Sequence, residues 1–95
     1  MIQEEKYHSI CREVLKRHYN QFRLDIKDDF FYNTPARAET RLLDMIRSFR
    51  SDMERLVPVS PNDTNAQVLK ESILNEYIQI ARKYGNRVKK RRGLA

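Results

Sequence analysis

A chain of 95 residues, 40 % apolar and 34 % charged, has room for one small domain with a thin core. Its two glycines and three prolines exclude a collagen-like or linker-like chain, and no apolar run nears the roughly 20 residues that a membrane span needs. The net charge of +6 is concentrated at one end: residues 1–81 hold 12 Lys/Arg against 13 Asp/Glu, and residues 82–95 hold seven basic residues and no acid.

The first helical pattern covers residues 4–22. Tyr7, Ile10, Cys11, Val14, Leu15, His18 and Phe22 recur at three- and four-residue steps, which gathers them on one stripe of a helix. Residues 23–33 are harder to assign. Phe22, Leu24 and Ile26 alternate with Arg23, Asp25 and Lys27 and imitate a strand, but a lone strand has no pairing partner. The expectation is a helix end followed by an irregular connection that carries Phe30, Phe31 and Tyr32.

The second helix starts at Thr34 and Pro35. Threonine caps with its hydroxyl, and proline at the first helical position has no N–H to leave unsatisfied. Leu42, Met45, Ile46, Phe49, Met53 and Leu56 form its apolar stripe. Pro58 forces Val57 out of the helical region, so the helix stops near Leu56. A loop with two prolines follows, and Asp63 or Thr64 caps the third helix.

In the third helix Ala66, Leu69, Ile73, Tyr77, Ile80 and Tyr84 lie on one side, and Leu74, Ile78 and Ala81 widen it to half the circumference. Gly85 follows as a left-handed C-cap candidate. The expected fold is therefore all-α: a bundle of three helices over residues 1–84, with a basic C-terminal tail over residues 85–95. Ile46, Phe49, Met53, Ile73, Tyr77 and Ile80 are the expected core. Leu43, Leu74 and Ile78 are left as apolar edges compatible with a homodimer.

The chemistry-bearing residues are few. His8 and Cys11 stand one turn apart, but His18 lies about 10 Å further along the axis, so the three do not form the tetrahedral set that zinc requires. No metal site and no cofactor are expected. Cysteine–histidine catalysis would also need an orienting group and a pocket. Asp28 and Asp29 are adjacent and do not converge on one substrate. Glycine-rich phosphate loops are missing, and helices near 20 residues long, with a second loop that is longer than a tight turn and carries two prolines, do not suit a helix-turn-helix reader. An enzyme is not expected.

What remains is the basic end. Arg82, Lys83, Arg87, Lys89, Lys90, Arg91 and Arg92 suit contact with the phosphates of nucleic acid or another polyanion. If the third helix ran through Gly85, then Lys83, Arg87 and Lys90 or Arg91 would share one face. Phe30, Phe31 and Tyr32 either close the core or meet a partner. The expected function is a non-enzymatic regulatory or accessory protein associated with nucleic acid. The alternative is a protein-interaction module: an adaptor, an assembly factor or an inhibitor of a larger protein. The lone cysteine suits a reducing, cytoplasmic setting, and the polar, acidic N-terminus is not expected to be a secretory signal.

Overall fold

The structure, a computed structural model, describes residues 3–28 and 34–94. Three helices make up nearly all of them: α1 (Glu4–Asp28), α2 (Pro35–Leu56) and α3 (Thr64–Arg91). The described residues include no strand. No helix among them is long and apolar enough to cross a membrane.

The side-chain pairings give the directions. Asp25 meets Arg41 and His18 meets Asp52, so α1 and α2 are antiparallel. Arg50 meets Asn75 and Glu39 meets Lys89, so α2 and α3 are antiparallel as well. α1 and α3 consequently run parallel, with His8 beside Tyr77 and Tyr19 beside Tyr84. The result is an up-down-up bundle of 45 × 19 × 18 Å.

The helix starts follow from local chemistry. The Thr34 hydroxyl accepts from the Arg37 N–H at 3.3 Å, and Pro35 opens α2. The Asp63 carboxylate accepts from the Ala66 N–H at 3.1 Å. α2 ends at Leu56, where the Val57 N–H returns to the Met53 carbonyl and Pro58 prevents another turn.

The core is built from Tyr7, Cys11, Val14 and Phe22 of α1, Leu42, Met45, Phe49 and Met53 of α2, and Ile73, Leu74, Tyr77 and Ala81 of α3. Ile46 and Ile80, expected inside, are half-buried against it. Leu74 is fully buried, and Ile78 packs half-buried on the core. Neither is therefore an open edge, whereas Leu43, the third residue expected there, is 37 % exposed.

α1 does not end near Phe22. It continues to Asp28, with Ile26 buried and Leu24 51 % exposed. Phe22 and Ile26 are four residues apart, so one helix face holds both. The alternation that imitates a strand is a helical stripe with Leu24 turned to solvent.

The C-terminal end also departs from expectation. α3 does not stop at Tyr84; it passes through Gly85 and reaches Arg91. The left-handed cap is at the second glycine, Gly93, with φ of 71°. The Leu94 N–H bonds the Lys89 carbonyl at 2.8 Å and the Gly93 N–H bonds the Lys90 carbonyl at 3.1 Å, which is a Schellman motif. Val88, Lys89 and Leu94 are buried. The residues read as a tail are thus the last turns of the bundle and its cap.

Gly85 serves close packing rather than termination. A Cβ there would overlap Leu42 Cδ1 and lie 3.1 Å from its Cγ, and Leu42 has no exposed surface into which to retreat. Gly85→Ala gains about 1 kcal/mol of helix propensity but must displace Leu42, at an overpacking cost of about 1–3 kcal/mol. The expected result is a net loss of up to about 2 kcal/mol. In a Leu42→Ala background the same substitution should become favourable by about 1 kcal/mol. Urea unfolding of the four proteins of this cycle checks it; an equal effect in both backgrounds would remove the contact as the cause.

Candidate functional site

The parallel register of α1 and α3 creates a concave basic surface. Residue 19 of α1 lies beside residue 84 of α3, so the following turns of the two helices are side by side. A cleft of about 380 Å³ opens there, lined by Arg23, Leu24 and Lys27 of α1 and by Val88, Arg91 and Arg92 of α3, with Asn20 at its margin. Above it the Tyr19 and Tyr84 rings meet at 5.6 Å between centroids, tilted by 50°. The Arg23 guanidinium sits 5.8 Å from the Tyr19 ring centre and that of Arg87 sits 5.6 Å from the Tyr84 ring centre, both within cation–π range.

None of Arg23, Lys27, Arg87, Arg91 and Arg92 is paired with a carboxylate among the described residues. Asp25 is held away from the cleft by Arg41 of α2 at 2.6 Å. No acid follows Glu76 in the chain. Among the described residues the surface is therefore a cluster of cations without carboxylate partners around a groove, with two tyrosine rings at one end.

The seven expected cations separate into three groups. Arg91 and Arg92 line the cleft. Lys83, Arg87 and Lys90 are exposed on the adjoining outer face, as a helix continuous through Gly85 requires. Arg82 is exposed but shares the helical flank of Asn75 and Lys89, which contact α2. Lys89 turns inward, is 8 % exposed, and forms an ion pair with Glu39. Arg23 and Lys27 stand among acids in the sequence, beside Asp25, Asp28 and Asp29, so nothing local marks them, and only the pairing of α1 with α3 brings them to the cleft. Phe30, Phe31, Tyr32 and Asp29 lie outside the described residues.

The histidines and the cysteine have structural partners. His8 Nδ1 lies 3.0 Å from the Tyr77 hydroxyl, not against Cys11. Cys11 is fully buried, and burial pushes its thiol up to about 11. Tyr7 beside it is likewise pushed up, first by burial, and its hydroxyl has no hydrogen-bond partner of normal geometry among the described residues. No three His, Cys, Asp or Glu side chains converge as metal ligands among the described residues.

His18 Nε2 lies 2.7 Å from Asp52 Oδ2. The hydrogen bond to His18, seconded by Arg55, holds the Asp52 carboxyl below its ordinary range. A depressed folded pKa stabilises the fold above the unfolded value of about 3.9 and is lost as pH falls through the folded one. Asp52→Asn should therefore flatten the acid limb of melting temperature against pH below about 4. Identical limbs in the two proteins would show that another carboxylate controls it.

No known protein family, curated protein or solved structure matches the chain, which leaves the chemistry of its own residues as the guide to function.

Proposed function

We propose that the protein is a non-enzymatic nucleic-acid-associated accessory or regulatory protein, working in a cytoplasmic setting, that binds polyanions at the α1–α3 cleft. The observation that carries this reading is the gathering of Arg23, Lys27, Arg91 and Arg92 around one groove, flanked by Lys83, Arg87 and Lys90, with no carboxylate pairing them among the described residues. Each phosphate that such a surface neutralises releases condensed counterions, and that release drives association. The contact is a folded two-helix surface rather than a free tail.

The test is a salt titration of the full chain against a labelled oligonucleotide. Contacts to four to seven phosphates give a log–log slope of about −3 to −6. Replacing Arg23, Lys27, Arg91 and Arg92 together by glutamine should reduce the magnitude of that slope by about 3 while leaving the melting temperature nearly unchanged. Absence of binding by the parent at low salt would overturn the reading and favour a module that docks on a larger protein.

A further inference from the structure

The geometry points to single-stranded nucleic acid, held by base stacking at Tyr84, whose ring rests against Tyr19, as the ligand of the basic cleft. This inference rests on the polyanion reading above and adds to it the class of nucleic acid.

Two ladders of side chains carry the argument. On α1, Tyr19, Arg23 and Lys27 follow one another at four-residue steps; on α3, Tyr84, Arg87 and Arg91 do nearly the same. Such steps place one side chain per turn, about 5.4 Å apart, on one face of each helix. Because α1 and α3 are parallel and Tyr19 lies against Tyr84, the two ladders run in the same direction and in register. Each therefore begins with an aromatic ring and continues with cations.

A phosphate backbone alone requires only the cations. Tyr84 adds a flat apolar face at the end of the groove, and it remains 40 % exposed even with Arg87 over it. Bases in a duplex have their faces covered by their neighbours, so they offer this surface nothing. An unpaired base has both faces free and stacks on aromatic rings or on guanidinium planes. A base arriving at Tyr84 displaces the Arg87 guanidinium or stacks on it, and Arg87 then lies next to the strand's phosphate. The following phosphates fall over the cleft, where Arg23, Lys27, Arg91 and Arg92 stand.

The experiment uses the full chain and three labelled probes of equal length: a thymidine oligomer, an abasic oligomer with the same phosphates, and a duplex. The thymidine strand is expected to bind roughly 5- to 150-fold more tightly than the abasic strand, the range for one stacked base, and more tightly than the duplex. The chain has five tyrosines and no tryptophan, so its intrinsic fluorescence is tyrosine emission; thymidine should quench part of it, the part missing from the Tyr84→Leu protein, and the abasic strand should not. Tyr84→Leu should abolish the thymidine-over-abasic preference while keeping salt-dependent binding of the abasic strand. Equal affinity for thymidine and abasic strands, or tighter binding of the duplex, would overturn the inference and leave the polyanion reading intact. Failure of all three probes to bind would remove both. The probe comparison on the parent protein decides the matter even if Tyr84→Leu does not fold.

Discussion

A chain cut after Tyr84 should be less stable than the whole by about 3–6 kcal/mol. The cut removes Val88 and Leu94, which are 7 % and 5 % exposed, and burial of each such side chain stabilises by about 1.5–3 kcal/mol. It also removes the Schellman cap and leaves Glu39 without Lys89. Against a typical domain stability of about 5–15 kcal/mol, that loss leaves little margin. Urea unfolding of the two chains checks it. Val88→Ala combined with Leu94→Ala keeps every charge and should reproduce most of the loss. Equal midpoints for the cut and whole chains would show that the last turns are appended to the bundle without supporting it.

Phe49→Ala should cost about 3–5 kcal/mol, the range for emptying a large buried site. Phe49 is fully buried near the middle of α2, with Met45 and Met53 one turn to either side and equally buried. A cavity there has packed side chains along the helix in both directions and cannot be filled from solvent. In melting temperature the loss amounts to at least about 12 °C for a domain of this size. Ile46, one turn back but half-buried, makes the contrast: Ile46→Val should cost less than about 1 kcal/mol. A Phe49→Ala protein melting within about 2 °C of its parent would show that the α2 face is misassigned.

The starts of α2 and α3 were legible because capping is a local affair. Thr34, Pro35 and Asp63 act on backbone groups within three residues of themselves, so their effect is written next to them. The stop at Leu56 was legible for the same reason, through Pro58. The end of α3 was not. Gly85 and Gly93 are the same letter, and what separates them is Leu42, which is far away in the chain and reaches Gly85 only after folding. A weaker signal was present: Ala81, Gly85 and Val88 continue the helical step, and Leu94 directly after Gly93 is the apolar residue that a Schellman cap expects.

The basic site was half legible. Its α3 cations stood out as a run, but Lys89 could not be told from Lys90 without the position of the core, since one residue of helix turns a side chain by about 100°. Arg23 and Lys27 joined the site only through the parallel register of α1 and α3, which depends on how two loops return the chain. Leu24 and Ile26 carried the same lesson for α1: their alternation with charged residues fits a strand or a helix equally, and the packing of Ile26 beneath the extended helix decides between them.

On the proposed reading of the cleft, the cap at Gly93 would make ligand occupancy and folding one linked equilibrium. Arg91 and Arg92 belong to the same turns that Val88 and Leu94 fasten to the core, so an anion spanning the cleft finds its partners only while those turns are wound. An anion that binds the wound form alone, present at a hundred times its dissociation constant, adds about 2.7 kcal/mol of apparent stability. The reciprocal also holds: any change that frays the last turns weakens binding by the fraction of chains left unwound, even when every arginine is still in place.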